Sequence, residues 1–251
     1  MEKHKIIQVL DVTVGYGTDI ILENISFDVH EGEIFIVLGG SGCGKSTLLK
    51  HLIGLIPPLS GRILIDGKDI SNCDEGTFKK ILRKIGVLYQ STALFGSMTI
   101  AENVSLPIKE YTNLPQKSVD TLVKMKLNMV NLKGYENYLP SEISGGMRKR
   151  AGLARAMALN PKILFFDEPS AGFDPVSSVE LDNLIIHLNK SLGTTMVIVT
   201  HELQSIFNVA HRVIMLDKQT KGIIAEGHPK HLKDHSENPF VRNFFNRKSE
   251  N

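Results

Sequence analysis

The feature that most constrains this chain is a glycine-rich loop between a strand-like run and a helical pattern. Residues 39–46 read Gly-Gly-Ser-Gly-Cys-Gly-Lys-Ser and match the spacing G-x-x-x-x-G-K-S. An apolar run at 34–38 precedes the loop, and a helical pattern at 47–54 follows it. Glycines let the backbone curl until its N–H groups converge on phosphate oxygens, and the helix dipole adds to the attraction. The loop therefore predicts that the chain binds a nucleoside triphosphate.

Two side chains of this loop have predicted tasks. Lys45 is expected to reach the β- and γ-phosphates as a point charge, and Ser46 to offer its hydroxyl to Mg²⁺. The alternative is a glycine-rich turn with an exposed lysine, which is disfavoured because every fixed position of the motif is present after a strand. The residues expected to hold the nucleotide are Gly39, Gly40, Ser41, Gly42, Cys43, Gly44, Lys45, Ser46 and Thr47.

An acidic pair follows another apolar run. Residues 163–166 are Ile-Leu-Phe-Phe, which suits a central strand buried on both faces, and Asp167 and Glu168 come next. Such a strand delivers its last residues to the carboxyl edge of the sheet, where ligands bind in folds of this kind. We expect Asp167 to hold the Mg²⁺ shell and Glu168 to polarise the attacking water. The alternative is an acidic pair that only caps the next helix.

A second candidate anion site lies at residues 144–146, which read Ser-Gly-Gly and open a helical pattern. Two glycines behind a serine at a helix start can form a nest of backbone N–H groups, so Ser144, Gly145 and Gly146 are candidate phosphate contacts. The alternative is an ordinary helix N-cap followed by the solvated basic run at 148–150. If the nest does bind phosphate, the chain has two phosphate-binding helix starts.

Composition limits the class of protein. A chain of 251 residues with 42% hydrophobic content can bury one sizeable core. The 29 basic and 27 acidic residues nearly cancel, so we expect no nucleic-acid partner. Cys43 lies inside the loop, where a disulfide would block the site, so free thiols in a reducing compartment are expected. No apolar run approaches the ~20 residues of a membrane span, and we see no signal-peptide core, which favours a cytoplasmic location.

The order of predicted elements indicates an α/β fold, because strands alternate with helices after a β-rich start. We expect a mainly parallel core sheet, an antiparallel β layer beside it and a helical subdomain at about 95–158. The predicted strands are 6–14, 20–29, 34–38, 62–65, 85–89, 163–166, 196–199, 213–216 and 223–226. The predicted helices are 47–54, 117–130, 145–159, 176–192 and 202–210.

The order of these motifs resembles that of ATP-binding-cassette (ABC) transporter ATPases. The likeness includes Gln90 after a strand, the run Ser-Ala-Gly-Phe-Asp at 170–174, and His201, and it extends from about residue 7 to 227. It implies a P-loop NTPase of the ABC type over residues 1–235, with ATP and Mg²⁺ as cofactors. It also implies a homodimer in the ATP-bound state, in which the loop of one subunit faces the Ser-Gly-Gly turn of the other.

The resemblance also implies roles for single residues. Tyr16 would stack on adenine, Gln90 would reach Mg²⁺ and the water, His201 would bind the γ-phosphate, and Asp174 would contact the partner's phosphate loop. The alternatives are an edge-strand tyrosine, a polar strand end and a cap-region histidine. One departure concerns Met147, because the family usually has glutamine after the two glycines.

Finer features are similar to the ATPases of Mla/MCE phospholipid transporters: Gly-Gly-Met at 145–147 before Arg-Lys-Arg, and the segments 91–104, 201–206 and 238–240. This implies a lipid transporter with a transmembrane permease, an MCE-domain lipid-binding protein and a small accessory subunit, peripheral on the cytoplasmic face of the inner membrane. The alternatives are an amino-acid importer ATPase and a soluble ABC protein acting on DNA or ribosomes. A P-loop kinase would leave Ser144 and His201 unexplained.

The tail at 236–251 is predicted to contain one short amphipathic helix. Asn238 can cap it with Pro239 at the first position, and Phe240, Val241, Phe244 and Phe245 then fall on one face. A helix this short is not stable alone in water, so that face must dock. It could dock in a groove of its own subunit, or on the partner ATPase or permease as an assembly clamp.

Overall fold

The computed structural model describes residues 4–247, which form two β-sheets and a set of covering helices. The strands are β1 Lys5–Tyr16, β2 Asp19–His30, β3 Ile34–Gly39, β4 Ser60–Ile65, β5 Lys68–Asp69, β6 Ile85–Leu88, β7 Ile163–Asp167, β8 Thr195–Val199, β9 Arg212–Asp217 and β10 Gly222–Gly227. The helices are α1 Lys45–Leu52, α2 Glu75–Leu82, α3 Ile100–Tyr111, α4 Gln116–Met129, α5 Gly145–Ala156, α6 Pro175–Leu192, α7 Leu203–Val209, α8 Pro229–His235 and α9 Pro239–Asn246. A short 3₁₀ turn spans Pro140–Glu142.

The larger sheet has the order β10-β9-β3-β8-β7-β6 and confirms the predicted parallel core. Its neighbours from β6 to β9 pair in parallel, and β10 joins antiparallel at the edge. Strands β3 and β8 are buried along their whole length, as uninterrupted apolar runs require in a sheet covered on both faces. The carboxyl ends of β3, β7 and β8 therefore meet at one edge of the sheet.

The smaller sheet is the predicted antiparallel layer, with the order β2-β1-β4-β5. Its apolar face packs with α1 against one face of the core sheet, where Leu48, Phe35 and Phe165 are fully buried. The opposite face of the core sheet is covered by α3 to α7 and by the tail helix α9. Helix α1 is thus held between two sheets, which fixes the loop that precedes it.

The predicted helical segment at 95–158 contains α3, α4 and α5 and confirms the helical texture expected there. Helices α2 and α8 were not predicted, and α3 was expected only as part of the helical segment. Helix α2 has a short apolar pattern within eight residues and buries only Ile81, and α8 lies in the polar stretch after Gly227. Among the described residues, no helix combines the length and the apolar character that crossing a membrane would demand.

The tail helix α9 adopts the predicted capped form, with the side chain of Asn238 accepting a hydrogen bond from the N–H of Phe240. Val241 is 0% and Phe245 2% exposed, and both belong to the hydrophobic cluster that also contains α7. These two side chains therefore pack in a groove of their own subunit, and the alternative of a clamp on the partner ATPase or permease stays a prediction. The boundary at 235 stays a prediction, and residues 248–251 of the tail lie outside the described part.

Candidate active site

The phosphate loop has a backbone shape that depends on its glycines. Gly39, Gly42 and Gly44 have φ values of +152°, +73° and +102°, a region that L side chains rarely adopt. A Cβ at Gly39 would also meet the sulfur of Cys43 and the carbonyl of Leu216 at 2.5 Å, and one at Gly44 would meet a methyl of Ile21 at 2.7 Å. The loop can therefore keep this shape only with glycine at these positions.

Lys45 begins α1, two residues before the predicted helix start, and its ammonium lies inside the loop. Its Nζ donates to the carbonyl oxygens of Gly39 at 2.9 Å and Gly40 at 3.0 Å, and the residue is only 8% exposed. The charge is thus held within the loop and has no carboxylate partner among the described residues. Such a cation is positioned to attract a polyphosphate.

Ser46 and Asp167 lie together although 121 positions separate them in the sequence, and the Ser46 hydroxyl donates to Asp167 Oδ1 at 2.9 Å. Burial raises the pKa of Asp167, and the Ser46 hydrogen bond partly offsets this. Within residues 4–247 there is no cluster of three or more His, Cys, Asp or Glu that could hold a metal by itself. One hydroxyl and one carboxylate nonetheless fit Mg²⁺, which uses few protein oxygens and completes its shell with phosphates and water.

Glu168 and His201 form a second pair, delivered by β7 and by the segment after β8. His201 Nδ1 lies 2.8 Å from Glu168 Oε1. Glu168 has φ +45°, an uncommon conformation for a non-glycine residue, and its N–H donates to the carbonyl of Val199 at 2.9 Å. Strained residues of this kind cluster at active sites. The pair places a carboxylate and an imidazole side by side at the edge of the sheet.

These groups except Asp167 border one open cleft of about 690 Å³. Its walls include the loop glycines, Lys45, Ser46 and Thr47, together with Gln90, Glu168 and His201. Gln90 is followed by two residues of positive φ, Thr92 at +64° and Ala93 at +50°. Arg155 of α5 holds their carbonyl oxygens at 2.8 and 2.7 Å, so α5 fixes the loop that carries Gln90.

The Ser-Gly-Gly turn borders a different cleft, of about 740 Å³, which also contains Gln90 and Asp174. Ser144 caps α5, its Oγ accepting from the N–H of Met147 at 3.2 Å. A Cβ at Gly145 would come no closer than 3.7 Å to another atom, and one at Gly146 no closer than 3.9 Å. The structure brings Gln90 to both clefts, but it does not bring the Ser-Gly-Gly turn to the phosphate loop of the same chain.

Three predicted contacts have surroundings that the sequence did not indicate. Tyr16 is 44% exposed and is not part of the cleft wall. Its hydroxyl lies 3.2 Å from Lys50 Nζ, and hydrogen bonds from Thr47 and Lys50 lower the pKa of Tyr16. Asp174 caps α6, accepting from the N–H groups of Val176 and Ser177 at 3.0 Å. Cys43 is buried, burial raises the pKa of its thiol, and the residue is not part of the cleft wall.

Sequence reasoning missed three residues near these groups. Lys149 is buried and its Nζ donates to the carbonyl of Glu168 at 3.4 Å, and burial lowers its pKa. Ile21 of β2 and Phe244 of α9 both line the cleft of the phosphate loop. Lys149 could have been distinguished from Arg148 and Arg150 by helical spacing, whereas no local signal marks Ile21 or Phe244.

Comparisons with known proteins agree with this geometry. The ABC transporter family model matches residues 22–171. The chain is 40% identical over 240 residues to the intermembrane phospholipid transport system ATP-binding protein MlaF of Escherichia coli (strain K12), covering 95% of this chain and 88% of that protein. It is 42% identical over 240 residues to the probable ribonucleotide transport ATP-binding protein mkl of Mycobacterium leprae (strain TN), covering 96% of this chain and 68% of that protein.

Solved structures give the same result. The dimeric ATP-binding cassette MJ0796 in a post-hydrolysis state bound to ADP and Pi has a TM-score of 0.79 and 30% identity, over 88% of this chain and 98% of that chain. The cbiO1 protein of Clostridium perfringens, part of the ABC transporter complex cbiONQ, has a TM-score of 0.84 and 29% identity, over 94% and 93%. The chain belongs to the ABC transporter family and is one of its ATP-hydrolysing ATP-binding proteins.

Proposed function

We propose that this protein is the ATPase subunit of a transporter that moves phospholipid or another lipid between membranes. The observation that carries the proposal is the 40% identity to a phospholipid-transport ATP-binding protein along 88% of that protein's length. The Haemophilus influenzae MlaF protein supports it with 39% identity over 83% of its length. Ribonucleotide transport is a second candidate, because the mkl proteins carry that name at similar identity over about two thirds of their length.

Charge neutralisation by the phosphate loop is the first part of the proposed mechanism. Lys45 and the loop N–H groups would bind the β- and γ-phosphates, with Lys45 exchanging its two carbonyl contacts for phosphate oxygens. These groups are already in position, and enzymes accelerate phosphoryl transfer mainly by holding charged and polar groups ready to stabilise the transition state. Thr47 and Ile21 would border the same nucleotide.

Ser46, Asp167 and Gln90 would hold Mg²⁺, which neutralises phosphate charge when bound. The hydrogen bond between Ser46 and Asp167 supports this role, because it holds the two oxygens 2.9 Å apart. Burial favours the neutral form of the Asp167 carboxyl, so a nearby cation would restore its charged form.

Glu168 would polarise the attacking water. His201 would hold the Glu168 carboxylate in place or contact the γ-phosphate. The 2.8 Å contact between the two side chains supports a shared role. The Glu168 backbone is pinned by Val199 and by Lys149, so its carboxylate is kept at the edge of the cleft. General-base assistance of this kind contributes roughly 10²–10⁴-fold to a rate.

The proposed active unit is a homodimer in which the Ser-Gly-Gly turn of one subunit completes the phosphate site of the other. This explains why Ser144, Gly145 and Gly146 lie in a separate cleft from the phosphate loop of their own chain. The dimeric cassette structure of a relative supports the assembly. Asp174 and Tyr16 would contact the partner's loop and the adenine, respectively.

Coupling to transport requires a membrane partner. We propose that the dimer binds a transmembrane permease on the cytoplasmic face of the inner membrane, with an MCE-domain lipid-binding protein and a small accessory subunit in the same complex. Arg155 of α5 holds the loop that carries Gln90. Through this contact, a movement of Gln90 on nucleotide binding would be passed to the helical layer.

The experiment that tests the function uses the complex purified from its native membrane. We expect co-purified phospholipid, and ATPase activity that rises when the complex is placed in phospholipid vesicles and does not respond to added ribonucleotide other than ATP. Stimulation by ribonucleotides with no bound lipid would overturn the lipid assignment and favour the second candidate.

A further inference from the structure

The tail helix α9 is anchored to the helix that follows His201. The ring of Phe245 lies 5.7 Å from the ring of Phe207 in α7, and Val241 is buried in the same cluster. Helix α7 begins at Leu203, two positions after His201. The tail helix is therefore attached to α7, which follows His201 of the Glu168–His201 pair directly in the chain.

Docking through Val241 and Phe245 leaves Phe240 and Phe244 half-buried on the flanks of α9. Phe244 contacts Phe245 edge-on, with ring centroids 5.6 Å apart and planes at 89°. It also lines the cleft of the phosphate loop, together with Lys45, Glu168 and His201, whereas Phe240 does not. Two half-buried phenylalanines of one helix thus differ in access to the cleft.

We infer that Phe244 is a nucleotide-binding residue supplied by the C-terminal tail, and that its ring forms the apolar wall of the cleft beside the bound phosphates. An apolar wall excludes water and lowers the local dielectric, which strengthens the attraction between Lys45 and the phosphates. The ring edge carries partial positive charge and can face phosphate oxygens without penalty. The inference depends on ATP binding and not on the lipid assignment.

The matched pair Phe244→Ala and Phe240→Ala tests this in the full-length chain. Both substitutions remove a half-buried ring from α9, so similar melting temperatures are expected. Only Phe244→Ala should weaken binding of a non-hydrolysable ATP analogue, by about tenfold for the loss of one well-packed contact. We expect a raised KM for ATP, and Phe244→Leu should recover most of the affinity because it restores an apolar wall.

Two results would overturn the inference. Equal analogue affinity in Phe244→Ala, Phe240→Ala and the parent would show that the ring is only part of the core. Unchanged affinity combined with weaker ATP-dependent dimerisation in a Glu168→Gln background would show that Phe244 contacts the partner subunit instead. If Phe244→Ala does not fold, Phe244→Leu and Phe244→Tyr are compared in the same titration. A nucleotide contact predicts a different analogue affinity for each variant, and equal affinities would overturn the inference.

Discussion

Two glycine-rich helix starts in this chain have similar sequences but different structural reasons for their glycines. In the phosphate loop, Gly39 and Gly44 have positive φ, and a Cβ at either would overlap neighbouring atoms of the same chain. In the Ser-Gly-Gly turn, Gly145 and Gly146 belong to α5, and a Cβ would have ordinary space around it. The first set is required by the fold, and the second is not.

This difference bears on how the site works. A glycine that the fold does not need costs helix stability, by roughly 0.5–1 kcal/mol relative to alanine in a helix interior. Its presence at the solvent-facing start of α5 is explained if another molecule must approach the backbone closely. This difference supports the proposal that the phosphate loop binds its ligand within one subunit, whereas the Ser-Gly-Gly turn binds a ligand held by a second subunit.

Glu168→Gln should have the largest effect on turnover, because it removes the base and leaves both glycine-rich sites unchanged. We expect ATP hydrolysis to fall by roughly 10²–10⁴-fold. ATP binding should persist, and sedimentation should detect an ATP-dependent dimer that outlasts that of the parent. Near-normal hydrolysis would remove Glu168 from the proposed mechanism.

Lys45→Ala should weaken binding and turnover together, since Lys45 is expected to contact the phosphates in the ground state and in the transition state. Losing one charge-assisted contact of ~1.5–3 kcal/mol corresponds to about 10- to 150-fold in affinity. Titration with a non-hydrolysable ATP analogue measures it, with Lys124→Ala as the control because Lys124 is exposed on α4 and lies outside the cleft wall. An unchanged dissociation constant would contradict the assignment.

Gly44→Ala and Gly146→Ala should differ in their effect on the melting temperature, which distinguishes the two glycine sites. Gly44→Ala should lower the melting temperature, since it places a side chain at φ +102° against Ile21. Gly146→Ala should leave the melting temperature unchanged or slightly higher and still reduce ATPase activity. A folding defect in Gly146→Ala as large as that in Gly44→Ala would remove the distinction between the two sites.

Met147→Gln should have the smallest effect, a change of a few-fold at most in ATPase rate. Met147 donates its backbone N–H to the Ser144 cap, and glutamine keeps that bond, while its side chain is only partly buried. Steady-state rates of the two proteins provide the measurement. A hundredfold loss would reveal a specific role of the methionine side chain.

The sequence predicted what depends on local rules. The phosphate loop, the apolar β7 with its acidic pair, and the Asn238 cap follow from backbone geometry within a few residues, and the fold class followed from the order of such elements. Helix α2 was missed because it is only eight residues long, so its apolar pattern of Phe78, Ile81 and Leu82 is confined to little more than one turn.

Contacts between distant segments could not be read from the sequence in the same way. Asp174 caps α6 of its own chain, which a pattern of Asp before Pro also permits, and its expected contact with a partner stays a prediction. The position of Phe244 depends on how α9 docks against α7, a tertiary contact that local spacing does not determine. Such contacts are set by the three-dimensional packing and not by local sequence.

The claim that the Ser-Gly-Gly turn acts on the partner's nucleotide is tested most directly by mixing two inactive variants. Ser144→Arg spoils the turn and Lys45→Ala spoils the loop, so each homodimer has two defective sites. A heterodimer of the two retains one intact composite site, and we predict recovery of activity in proportion to the heterodimers formed. Confirmed heterodimers with no recovered ATPase activity would contradict it.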